Sequence, residues 1–245
     1  MSIGKNIKTV HLWMLLPFAA MQIGIFMDYW PDFVNKNWGV HVHYWTGTLW
    51  FVFIILQPFL IAKGNIDAHH LYGLLGLFVA GGVVFSALTL YEHDIRSAFN
   101  AEAEGDELTA RFFTGGIMMQ NVLMSGFLWM LIASMWYRKK MEEHGWYLMM
   151  SGFCVMLPAV GRGVFRFLAY VFGGYENFNP VLGSIITSLI IGGLAALLAW
   201  RFNKWKHPAT WVAIVITGVA YWVYQAAAMN DWVYHSMKEF IVIDK

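Results

Sequence analysis

Seven apolar runs, each about long enough to cross a bilayer as a helix, constrain this chain more than any motif in it. A helix needs about 20 consecutive, mostly apolar residues to cross the hydrocarbon core. Residues 9–27, 43–62, 70–91, 112–136, 145–171, 181–201 and 208–229 meet that requirement. With 59% hydrophobic and 13% charged residues, the chain has too little polar surface to cover such runs as a water-soluble domain. The expected fold is all-α, a polytopic seven-transmembrane-helix bundle forming one domain over residues 1–245. The first run follows Lys5 and Lys8 but ends in "MDYWPDF", without a small-residue cleavage site, so the helix is expected to be retained.

Loop charges orient the bundle, because Lys and Arg accumulate on the cytoplasmic side of short loops. With the N-terminus inside, the inner segments carry nine basic residues (Lys5, Lys8, Lys63, Arg138, Lys139, Lys140, Arg201, Lys204, Lys206) and three acidic ones (Asp67, Glu142, Glu143). The outer segments carry five basic residues and twelve acidic ones, among them Glu102, Glu104, Asp106 and Glu107. An inside N-terminus and an outside C-terminus are therefore expected. The formal net charge of +1 conceals this asymmetry and gives no reason to expect a nucleic-acid partner. The single cysteine, Cys154, excludes an intrachain disulfide and a Cys-based metal site. Residues 93–111 read as the one loop long enough to hold structure of its own, a short amphipathic surface helix. The tail from Asn230 is expected at the outer interface, with Trp232 and Tyr234 at headgroup level.

The nine histidines fall in two tiers, with His11, His69, His70, His144 and His207 near the inner face and His41, His43, His93 and His235 near the outer one. A histidine at a helix end is comfortable at an interface without any further role. Three spans show more order than that. In the second, His43, Trp50 and Gln57 are seven apart and share a face, with Pro58 expected to loosen the helix. In the third, His70, Leu77, Gly81, Leu88 and Glu92 lie near one line, with Gly73 beside His70 allowing close approach of a helix or a flat ligand. In the fifth, His144, Ser151, Pro158 and Arg162 share a face, and His144 and Arg162 are roughly 27 Å apart along the axis. A charge inside a span costs about 2.5–3.5 kcal/mol, so Arg162 and Arg166 are expected to find a partner, with snorkelling to the outer headgroups the alternative, above all for Arg166. Glu92 and Asp94, ending the neighbouring third span, are the expected ones.

The order of "HYWTGTLWFVFIILQ", "HLYG", "RKKMEEHGWYLMM" and "AVGR" over about residues 41–166 resembles a broad group of bacterial multi-pass membrane proteins, most of them without assigned chemistry. The resemblance implies a fold and a bacterial inner (cytoplasmic) membrane rather than an activity. The chain departs from the group's His-Arg and His-Lys-Arg motifs at His70-Leu71 and His144-Gly145-Trp146, losing basic residues beside the inner histidines.

Three function classes stay open. The first is a redox or electron-transfer protein similar to the transmembrane b-type cytochromes, in which haem b sits between histidines of different helices with an Arg near its carboxylates. His70 and His144, with Gly73 and Arg162, are the candidate cofactor residues. A second, outer haem lacks a histidine opposite His43, where the fourth span offers only Gln120 and Asn121. The second class is a metal site for Fe, Cu or Zn, structural or hydrolytic, built from His41 or His43 with His93 and Glu92 or Asp94 at the outer face, or from His69 or His70 with His144 at the inner face. His41 and His43 would point about 160° apart on one helix, so sharing an ion requires the helix to begin after residue 41, with Gly39 as a boundary. The third class is a transporter, a lipid-binding protein or an accessory subunit without chemistry of its own. The partners foreseen are the lipid bilayer, other membrane subunits, and a quinone or lipid.

Overall fold

The computed structural model describes residues 9–241, and among them seven helices are long and apolar enough to cross a membrane. They are α1 (Val10–Tyr29), α2 (Trp38–Ala62), α3 (Ile66–Ala103), α4 (Glu107–Trp136), α5 (Met141–Phe172), α6 (Pro180–Phe202) and α7 (Pro208–Met229), followed by a shorter α8 (Asp231–Ile241). The all-helical, multi-pass expectation is met. α5 packs against α1, α2, α4, α6 and α7, and α3 lies against α2 and α4. The centre is legible in the burial, since 72% of the most apolar window of α5 is covered by protein, against 28–39% for the other spans.

Side-chain size explains how α1 reaches the centre. A Cβ added at Gly24 would stand 2.3 Å from the Ala159 carbonyl oxygen of α5, and one at Gly163 would stand 2.7 Å from the Gly24 Cα. Only glycine at both positions lets the two backbones cross this closely. α1 is itself interrupted at Met14, where Pro17 removes the amide that would bond the Trp13 carbonyl. By contrast Pro58 and Pro158 sit inside unbroken helices.

The expected loop over residues 93–111 does not exist as a loop. α3 runs on to Ala103 and α4 begins at Glu107, so the two form a long helical hairpin turning over Glu104, Gly105 and Asp106. Gly105 takes the turn's positive φ of 78°, and the Asp106 carboxylate caps α4 by accepting from the Thr109 amide at 3.0 Å. That contact holds the Asp106 carboxyl below the usual carboxylate range. The 38 residues of α3 extend for roughly 57 Å, well past a hydrocarbon core of about 30 Å. α8 docks on this hairpin. Tyr234 is buried beneath the Arg111 guanidinium, 4.8 Å from its ring, and Arg111 also pairs with Asp231 and Glu107. Trp232 remains exposed, as an interfacial residue would, whereas Tyr234 is taken up by packing.

The two ends of the bundle differ in charge. One, the basic end, holds Lys63, Arg138, Lys139, Lys140, Arg201, Lys204 and Lys206, and the other, the acidic end, holds the α3–α4 hairpin and α8.

Candidate functional site

A concavity of about 650 Å³ lies at the basic end, between α2, α3 and α5. α2 contributes Ile54, Gln57, Pro58 and Ile61; α3 contributes His69 and His70; α5 contributes His144, Trp146, Leu148 and Met149. Arg138, Lys139, Glu142 and Lys204 stand at its mouth. A mostly apolar cleft of this size with a few converging polar groups is what a small-molecule or cofactor site requires.

His144 is oriented by α4. Its Nδ1 lies 2.9 Å from both the Ser134 carbonyl and the Ser134 hydroxyl, and that hydroxyl also donates to the His144 carbonyl at 3.0 Å. A carbonyl only accepts, so Nδ1 carries the proton and Nε2 keeps its lone pair. This is the arrangement that metal-ligating histidines use to fix the tautomer of the ring. Ser134 and His144 face each other because they flank the short α4–α5 turn at equal depth. The sequence reading missed Ser134.

His69, rather than His70, meets His144: their rings are 6.4 Å apart and nearly perpendicular. The reason is the rotation of α3. The line through His70, Leu77 and Leu88 faces outward, with all three exposed. Residue 69, about 100° away around the helix, faces inward instead. His70 remains in the cavity lining, and Gly73 has open space where a Cβ would stand. The shared face of His43, Trp50 and Gln57 does turn inward. Trp50 Nε1 donates to the Ser151 hydroxyl at 3.2 Å, and Gln57 is 3% exposed. With its nitrogen toward His69, the Gln57 amide donates to the His69 carbonyl at 3.3 Å and to the ring Nδ1, while its oxygen faces the Gly73 amide at 3.3 Å. In that orientation His69 Nε2 carries a proton. The cavity therefore presents an acceptor, His144 Nε2, near a donor, His69 Nε2–H.

Arg162 takes no part in this cavity, being at the other end of α5. Its partner is neither Glu92 nor Asp94 but Asp28, the last carboxylate of α1, at 3.3 Å, and Arg166 meets the same carboxylate at 3.2 Å. Arg166 also donates to the Met27 carbonyl at 2.7 Å, closing the open end of α1, and the Tyr44 hydroxyl donates to Asp28 at 3.0 Å. Glu92 is engaged by Arg96 one turn on, at 2.5 Å, and Asp94 by His93 at 3.3 Å. The Gly24 crossing brings Asp28 to the arginines, and a search confined to adjacent spans could not find it.

The candidate metal residues of the acidic end are not gathered. α2 begins at Trp38, capped by the Asn37 carboxamide accepting from Val40 at 3.0 Å, so Gly39 is not a boundary and His41 and His43 both lie on the helix with diverging rings. His41 Nδ1 is 2.7 Å from the Tyr29 hydroxyl, and His43 Nδ1 is 3.3 Å from the Ser86 hydroxyl on α3. His93 turns to Asp94 and to the Phe113 ring, away from both. Among the described residues no three His, Cys, Asp or Glu side chains converge as a bare ion would need. Gln120 and Asn121 are engaged by the Ala87 carbonyl and by Tyr91.

No family model, no curated protein and no solved structure matches this chain. The functional reading therefore stands on the site alone.

Proposed function

We propose that the chain is a multi-pass protein of a bacterial cytoplasmic membrane, its basic end toward the cytoplasm, and that the histidine cavity holds haem b in a redox or electron-transfer role. The observation that carries this reading is His144, whose ring is locked by Ser134 with Nε2 as its open ligating atom and stands 6.4 Å from His69. The two imidazoles are close enough for both to border one bound group. The donor count favours haem over a bare ion, which takes three or four protein ligands, whereas haem brings four nitrogens and requires one or two more. The apolar walls suit a macrocycle, and Arg138 and Lys139 at the mouth suit its carboxylates. When bound, haem supplies a one-electron iron couple. His144 would hold it, and His69 would join as a second ligand only with its proton moved to Nδ1, against the Gln57 orientation that satisfies both ends of the amide.

One observation favours a second reading. With the Gln57 nitrogen turned toward His69, the orientation that satisfies both ends of the amide, a donor and an acceptor face the cavity together, and that pair suits the two oxygens of a quinone or quinol without any metal.

The deciding experiment is an optical spectrum and iron analysis of the detergent-purified protein, expressed with haem in excess. A Soret band that shifts to longer wavelength on reduction and is lost in His144→Ala is the expected result. A colourless, iron-free protein ends the haem reading. Extraction of a quinone that His144→Ala fails to retain would then establish the second. A protein carrying neither group leaves transport, lipid binding or assembly as its role.

A further inference from the structure

The mouth of the cavity carries positive charge that the fold itself does not neutralise. Glu142 and Lys204 satisfy each other at 3.1 Å. Arg138 donates only to the Met135 carbonyl, at 3.3 Å, and among the described residues no carboxylate pairs with Arg138 or with Lys139. Cations just past the C-terminus of α4 complement its dipole, which accounts for a basic run at this place. It does not account for how that run is disposed. Of three consecutive cations, Arg138 and Lys139 line the cavity, whereas Lys140 lies over the Tyr137 ring at 5.6 Å and is not among the lining residues. His69 and His144 stand about one turn in from the basic-end termini of their helices, and beyond them the walls become apolar through Ile54, Leu148 and Met149.

We infer that the occupant of this cavity is an anionic amphiphile, its acidic group held by Arg138 and Lys139 and its apolar body reaching past the histidines to the apolar walls. The inference rests on the cavity being a ligand site, but not on the ligand being haem, since a ring carboxylate and a phospholipid phosphate present the same chemistry to the two cations.

Lys140 provides the control. Binding of metal-free protoporphyrin IX and of its dimethyl ester is measured by quenching of tryptophan fluorescence, Trp146 being part of the lining. Neither probe can take an axial ligand, so the cations are read apart from His144. The free acid is expected to bind about tenfold more tightly than the ester at low ionic strength, with the difference shrinking as salt screens it. The double variant Arg138→Gln/Lys139→Gln should abolish the preference, and Lys140→Gln should leave it in place. Equal binding of acid and ester, or an equal loss in Lys140→Gln, overturns the inference. Phosphatidylglycerol nanodiscs, compared with phosphatidylcholine, identify the source. Displacement of the porphyrin by phosphatidylglycerol, dependent on Arg138 and Lys139, makes the anion a lipid phosphate, and acid preference without displacement makes it a ring carboxylate. If neither the porphyrin acid nor phosphatidylglycerol binds, the inference falls. A missing Soret band with acid preference intact removes the haem reading and leaves this one.

Discussion

The two ends of the bundle are built from the same residue types and put them to opposite uses. At the acidic end Arg162, Arg166 and Tyr44 converge on Asp28, and His41 and His43 are met by Tyr29 and Ser86, so the polar groups are satisfied by one another. At the basic end His144 is held by Ser134 at the edge of the cavity, and among the described residues His70 has no hydrogen-bond partner and Arg138 and Lys139 meet no carboxylate. A polar group in a low-dielectric setting must be paired or reached by something from outside. We read the acidic end as a clasp and the basic end as a receptor.

The largest effect is expected where the clasp is assembled. Gly24→Val places new atoms against the α5 backbone, which cannot yield as a side chain can, and is expected to cost about 3 kcal/mol or more. Thermal unfolding in detergent measures it. Wild-type stability in this variant would mean that the α1–α5 crossing is looser than drawn, and that Asp28 is not delivered to the arginines by packing. Asp28→Ala comes next, since it leaves two guanidinium groups without their carboxylate. Asp28 is 27% exposed and the arginines nearly half exposed, so solvent reduces the cost to about 1–3 kcal/mol. Asp28→Ala should lose much of its effect in the Gly24→Val background, because the contact it removes is already opened there.

His144→Ala tests the other side of the comparison. Removing hydrogen bonds to Ser134 from a partly exposed ring costs about 1 kcal/mol, yet retention of the cavity's occupant should be abolished. Occupancy is read by co-purified haem or quinone against the wild type. If instead His144→Ala unfolds the protein as severely as Asp28→Ala while the occupant is retained, the receptor and the clasp have been assigned the wrong way round.

The span count and the inward face of α2 were legible because both rest on local patterns, run length and seven-residue spacing. The site was legible only in outline. His144 shares a face with an in-span arginine, but the sequence leaves His69 and His70 both open and favours His70 as a haem ligand, because the rotation of α3 is set by contacts with α2 and α4 that no single helix encodes. Asp28 and Ser134 escaped for a related reason. Each is one unremarkable polar residue near a span end, and its meaning comes from a partner on another helix. The long helices through residues 93–111 went unread because charge and polarity there resemble a loop, while Asp106 and Gly105 confine the turn to three residues.

The smallest effect concerns the tie beside the receptor's mouth, and it is read through pH. His207 is nearly buried at the start of α7, where Nδ1 accepts from the Ala209 amide at 3.2 Å and Nε2 lies 3.0 Å from the Glu143 carboxylate. Burial pulls its pKa below the ordinary value, against the opposing attraction of Glu143. A group whose folded pKa is depressed favours the fold in its deprotonated form. The stabilisation is therefore complete above the unfolded value of about 6.5 and is lost as pH falls through the lower folded value. Wild-type melting temperature should accordingly decline as pH drops from about 6.5 toward 5, with His207→Asn, which can still cap α7 but cannot titrate, showing a shallower decline. Equal slopes would show that the acid sensitivity of the basic end arises elsewhere. A wild type that gains stability on acidification would mean that the Glu143 pairing outweighs burial, making this tie a charged clasp like the one at the opposite end.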